Sequence, residues 1–239
     1  MKRTLLLILL LTGAIAAHSQ TDSANIVVDN YLRLLNFEGL RTDSTLYIES
    51  RIFTPGMGDT LVMKRWHQAP NLDRLEMWQG GKLAMGCFCN GKGVCQKYNA
   101  QRRKWALINY ESFLNLQTPY DFRGPLYHYR MQGAELTYMG LMRYEGQECH
   151  RVLVKMPGHY DRYYLFECRT KLLFLIDELP THHEDHKMSA KPVEWRAVHE
   201  YQPFGESLLP SLESYLHEEG HTVISHTYRY IAYDPALFN

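Results

Sequence analysis

The chain has no charge of either sign to spare: 26 Lys and Arg are balanced by 26 Asp and Glu over 239 residues. Read as a whole, a neutral chain without a basic stripe lacks the electrostatic footprint for phosphate backbones, so no nucleic-acid partner is expected. Past residue 20 no run is long and apolar enough for a transmembrane helix. No Pro/Gly/Ser linker, charge block or low-complexity tract divides the chain, which argues for a single domain over residues 20–239. There is no G-x-S-x-G elbow, no P-loop and no G-x-G-x-x-G, and no carboxylate pair stands out from the background of charges. No catalytic residue and no cofactor is therefore expected. Cysteine is scarce and odd in number: Cys87, Cys89, Cys95, Cys149 and Cys168 leave at least one thiol free or bonded to another chain.

What is present begins at the first residues. Lys2 and Arg3 precede an aliphatic run from Leu5 to Leu11, and small residues follow from Gly13 to Ala17. This is the order of a secretory signal peptide, with an apolar run too short to anchor in a bilayer. Cleavage after Ser19 is expected, with cleavage after Ala16 as the alternative. No cysteine lies near either junction, so no lipid anchor is expected, and the mature chain is read as exported and periplasmic. Export makes disulfides possible.

Residues 23–36 have the spacing of an amphipathic helix, with Val27 or Val28, Tyr31, Leu32 and Leu35 on one side and Asp22 or Ser23 to cap it. A shorter helix is predicted at Tyr110–Leu116. Most of the remainder alternates with period two between turns such as Pro55-Gly56, Gly80-Gly81, Asn90-Gly91 and Pro157-Gly158. Hairpin after hairpin means a mainly β fold with an antiparallel sheet built in sequence order. Seventeen tyrosines, nine phenylalanines and four tryptophans suit such strand surfaces. Around Pro157-Gly158 the pattern pairs Lys155 with Arg162, which sets Val154 against Tyr163 and Val152 against Leu165 on an apolar face. The same register places Cys149 opposite Cys168, where a cross-strand disulfide is geometrically possible.

Three clusters invite a metal reading. His217-Glu218-Glu219-Gly220-His221 matches H-E-x-x-H, whose chemistry needs both histidines on one helical face. Gly220 and strand-like flanks instead predict a hairpin tip. His182-His183-Glu184-Asp185-His186 reads as a solvated loop. Cys87, Cys89 and Cys95 flank a turn and lack a fourth ligand, so a hairpin disulfide or small buried thiols are expected. No metal site is predicted.

Several segments, in order, resemble the LolA-like family of periplasmic outer-membrane lipoprotein carriers, in particular the branch named for lipoprotein sorting. Ala69-Pro70-Asn71 followed by Arg74-Leu75-Glu76-Met77 resembles the family's K-x-P-N-x-x-R segment. Asn90-Gly91-Lys92-Gly93 resembles its N-G-K-x-G turn, and Tyr120 to Leu126 its D-F-x-G-P-L element. Gly133, Gly140 and Gly146 fall where that pattern has glycines, and Asp234 to Phe238 resembles its closing segment. The resemblance implies an incomplete antiparallel β-barrel with covering helices, a half-barrel enclosing an apolar cavity for acyl chains. It implies a lipid-like or acylated ligand, with an envelope lipoprotein or outer-membrane protein as partner. One departure stands out: the family's basic residue before that Pro is Ala69 here, which puts transfer to a lipoprotein receptor in doubt. The cavity is expected to be lined by Val152, Val154, Met156, Tyr163 and Leu165, joined by Leu61, Met63, Leu75 and Met77, with the helix 23–36 across it. A non-catalytic interaction or sensor module on the same fold is the alternative, and a zinc metallohydrolase using His217 and His221 comes third. An open or a filled face separates the first two.

Overall fold

A computed structural model of the chain describes residues 23–56, 58–69, 71–117, 121–157, 161–178, 195–217 and 220–238. The chain divides into two compact units, one of residues up to 35 with 126–198, the other of residues 36–125 with 199–239.

In the second unit six strands meander: β1 (Thr45–Phe53), β2 (Leu61–Gln68), β3 (Leu72–Gln79), β4 (Lys82–Asn90), β5 (Cys95–Asn99) and β6 (Lys104–Ile108). The helix α2 (Tyr110–Gln117) follows them, after the N-terminal helix α1 at residues 23–35. The first unit contributes β7 (Glu135–Tyr144), β8 (Gln147–Lys155), β9 (Arg162–Glu167) and β10 (Leu173–Glu178). β11 (Trp195–Phe204) passes from one unit to the other, β12 (Ser207–His217) pairs with β13 (Gly220–Ile231), and β13 returns to pair with β1. The strand order is β6-β5-β4-β3-β2-β1-β13-β12-β11-β10-β9-β8-β7. Among the described residues only the β1–β13 pairing joins strands distant in sequence, and β6 and β7 end the order without pairing to each other, so the sheet is not closed.

Local chemistry fixes the turns and caps. Asn90 Oδ1 accepts from the N–H groups of Lys92 and Val94, and Gly91 sits at φ 70°, a conformation that suits glycine. Asn109 caps α2: the Ser112 N–H donates to its Oδ1 at 2.7 Å. In α1 the buried stripe is Ala24, Val28, Tyr31 and Leu35, so Val28 rather than Val27 faces inward, and Tyr31 packs on Phe166 with ring centroids 5.4 Å apart. Asp29 at the helix surface accepts from Tyr129 and Arg130.

Two expectations are corrected. The sequence pattern passes over β6, which lies between the Arg102-Arg103 tip and α2 with no Gly or Pro to mark its start. The β8–β9 ladder runs one residue away from the predicted register: Val154 opposes Arg162, Val152 opposes Tyr164, and Cys149 opposes Glu167. A slip of one residue turns every side chain of a strand to the other face. Tyr163 and Leu165 therefore lie opposite to Val152 and Val154, on the side of Arg151, whose guanidinium sits 3.5 Å from the centre of the Tyr163 ring. Cys149 and Cys168 are both free thiols for the same reason. Cys149 is buried against Leu165 and Leu175 rather than bonded.

Candidate functional site

The four candidate residues of the second unit do share a face. Met63 opposes Met77, Leu61 opposes Gln79, and Arg65 opposes Leu75. One strand further on, Met77 opposes Met85 and Leu75 opposes Cys87. Directly opposed residues point the same way, so these strands form an apolar floor of Met63, Leu75, Met77, Met85 and Cys87. α2 lies against β4 and β5, with Phe113 buried among Met63, Leu75 and Cys87 of this floor and Leu116 beside it. Cys89 and Cys95 oppose each other on β4 and β5 and are disulfide-bonded, with Cα atoms 4.2 Å apart. Cys87 stays a buried thiol, pushed up to about 12 by burial and by the nearby Asp73 charge, and is therefore inert as a nucleophile.

The same face carries charge that the alternating pattern assigns to solvent. Arg65 is 1% exposed and grips Asp73 in a two-pronged pair, Nε to Oδ1 and Nη2 to Oδ2, both at 3.0 Å. His67 Nδ1 lies 2.9 Å from the same Oδ2. Phe122 covers the group, its ring 5.2 Å from the Arg65 guanidinium carbon and 5.6 Å from the His67 ring. Beside it, burial pushes the Asp121 carboxyl up, but hydrogen bonds from Arg123 and the charges of Arg65 and Arg123 outweigh this and hold it below the ordinary carboxylate range.

A second buried chain crosses three neighbouring strands. Ser50 Oγ is 2.8 Å from His226 Nδ1, and His226 Nε2 is 3.4 Å from Glu213 Oε2. Serine, histidine and carboxylate are the parts of a nucleophilic triad. Ser50 is only 1% exposed, however, and a nucleophile needs access to its substrate. The arrangement reads as a polar chain that satisfies buried groups on β1, β13 and β12.

In the first unit Val152 and Val154 are buried on the face that also holds Tyr164 and Phe166, the ring packed by α1. Met156 follows β8 and is half-buried. The predicted nine-residue lining is thus divided: Tyr163 and Leu165 leave it, while Met63, Leu75 and Met77 belong to the floor of their own unit, with Leu61 on the same face opposite Gln79. A cavity of about 500 Å³ beside the β7–β8 hairpin is lined by Leu141, Met142, Arg143, Gly146 and Glu148, none of them singled out from the sequence.

The metal readings resolve in part. β12 ends at His217 and β13 starts at Gly220, which oppose each other, so the H-E-x-x-H segment joins two strands and provides no helical face. The cluster at His182, His183 and His186 lies outside the described residues. Among the described residues no three His, Cys, Asp or Glu side chains gather as a metal site.

No family model and no curated protein matches the sequence. Solved structures do match. A DUF1329 family protein from Desulfovibrio piger superposes with a TM-score of 0.57 at 11% identity, over 92% of this chain and 97% of that one. A LolA superfamily protein from Nitrosomonas europaea gives 0.57 at 6% identity, over 90% and 97%. The fold is LolA-like. A domain from Vibrio parahaemolyticus named for outer membrane lipoprotein sorting has the same LolA-like architecture, with a TM-score of 0.52 at 8% identity over 89% and 97%. The fold class read from the sequence, an incomplete antiparallel barrel with covering helices, is the one found. At these identities the likeness extends to the LolA-like fold and not to the residues of a site. No helix among the described residues is long and apolar enough to cross a membrane.

Proposed function

We propose that the chain is an exported, periplasmic, non-catalytic binder or carrier of acyl chains, or of another lipid-like ligand, held between α2 and the methionine floor of β2–β4. In this reading residues 1–19 are removed on export, no lipid anchor is added, and residues 20–239 act as one domain. The observation that carries the reading is the cover itself. α2 has eight residues, too few to persist alone, and Phe113 is the one buried side chain among those described in it, with Leu116 half-buried beside it. Displacing those two costs about 3–5 kcal/mol of apolar burial, whereas ten methylenes in their place return about 8 kcal/mol. Methionine adapts its shape to different chains, and Met63, Met77 and Met85 stand together on the floor. A neighbour of the same fold named for lipoprotein sorting supports the same class of ligand.

The test is to fill the floor. Met77 is half-buried, so Met77→Trp should leave the melting temperature within a few degrees and weaken binding of a fluorescent fatty acyl probe at least tenfold. Unchanged probe binding by the folded variant would shift the assignment to the second reading, an envelope interaction module. That second reading has its own support, because Leu75 and Val152 are already sealed by the chain's own side chains.

A further inference from the structure

The neutral total hides one lopsided segment. From Met77 to Tyr110 the sequence holds six basic residues, Lys82, Lys92, Lys97, Arg102, Arg103 and Lys104, and no Asp or Glu. All six are exposed, and no ion pair among the described residues involves any of them. The segment is β4 to β6, the three strands that end the sheet order, so the positive charge gathers at one end of the sheet, and among the described residues its last strand has no further strand partner. Arg102 and Arg103 occupy the turn into β6 and Lys104 opens the strand. At the other end of β6, roughly 13 Å along at strand spacing, the surface turns apolar. Leu107 is 74% exposed and Tyr110 53%. Val94 is exposed in the adjoining turn, next to the Cys95–Ile108 pairing.

Lysines on a free edge discourage strand pairing with another chain. That explains the charges, but not why Leu107, Tyr110 and Val94 are exposed at the opposite end of the same edge. Cations flanking exposed aliphatic and aromatic side chains are what a protein needs to rest on an acidic membrane: the apolar groups enter the headgroup boundary while the cations stay among the lipid phosphates.

We propose that the β6 edge docks on the surface of a bilayer rich in anionic lipid. The proposal does not rest on the carrier reading, since docking requires no uptake of lipid. The test is co-sedimentation of the mature chain with phosphatidylcholine vesicles, with and without 30% phosphatidylglycerol, at low and high salt. Binding should require the anionic lipid and weaken with salt. Each cation near such a surface is worth about fivefold, so Arg102→Glu with Arg103→Glu should weaken binding at least tenfold. Leu107→Ser with Tyr110→Ser should weaken it at least threefold, with a thermal melt checking that the chain stays folded without the Tyr110–Phe113 ring contact. Equal binding to neutral vesicles, or indifference to charge reversal, would overturn the proposal. So would soluble polyphosphate binding as tightly as vesicles while the Leu107/Tyr110 variant behaves like the parent, since that describes a general polyanion surface.

Discussion

Replacing Phe113 with alanine decides whether α2 is a cover or a piece of the core. The ring is buried among Met63, Leu75, Cys87, Cys89 and Cys95. Truncating such a ring costs about 3–5 kcal/mol when the surroundings cannot close in. If α2 lifts as a unit, that loss falls on the local balance between covered and uncovered floor. A shift of 3 kcal/mol changes that balance by about 150-fold. The apparent Kd for an acyl probe is the intrinsic Kd divided by the fraction of molecules able to bind. Phe113→Ala should therefore tighten probe binding by one to two orders of magnitude, with a melting temperature only a few degrees lower. The assay is a fluorescence titration alongside a thermal melt. If α2 belongs to the cooperative core, the same 3 kcal/mol lowers the melting temperature by about 6–12 °C for a chain of this size and leaves the probe affinity where it was. That pair of results would refute the cover.

The remaining predictions concern charge and thiols. The Asp121 carboxyl is held below its ordinary value of 3.8, so its ionised form favours the folded chain. This contribution is complete above 3.8 and fades as the pH falls through the lower folded value. Asp121→Asn should thus melt earlier than the parent near neutrality, with the gap starting to close at pH 3.8; a gap that does not change with pH would dispose of the charge argument. Thiol titration of the unfolded chain should find three reactive groups without reductant and five with it, given the single Cys89–Cys95 bond. Closing so short a loop stabilises by roughly 2 kcal/mol on a chain-entropy basis, so reductant should lower the melting temperature; five thiols in both conditions would mean the bond does not form.

The mainly β class, both helices and most strands were legible because apolar period and turn residues agree over those segments. What escaped has physical causes. β6 is five residues long and enters from a basic tip, with no turn chemistry to announce it. The β8–β9 register depends on the length of one connection, and a single residue there exchanges the two faces. Met63, Leu75 and Met77 stand out as alternating apolar positions, but Arg65 and Asp73 extend the same face, and alternation assigns charges to water. Their mutual two-pronged pairing, with His67 on the same carboxylate, makes burial tolerable. The acid-free stretch from Met77 to Tyr110 was readable all along; averaging charge over the whole chain erased it.

The helix α1 makes its contacts far away in sequence. Asn25 and Asp29 meet Tyr129 and Arg130, about a hundred residues later, and Tyr31 meets Phe166 later still. A chain that emerges with its N-terminus first therefore presents Ala24, Val28, Tyr31 and Leu35 long before anything exists to bury them. Contacts of such sequence separation form slowly, and an apolar stripe left uncovered in the meantime is a site for adhesion to other chains. Truncation from the C-terminus at any point before Phe166 should accordingly leave that leading helix without its ring partner and the nascent product prone to aggregate.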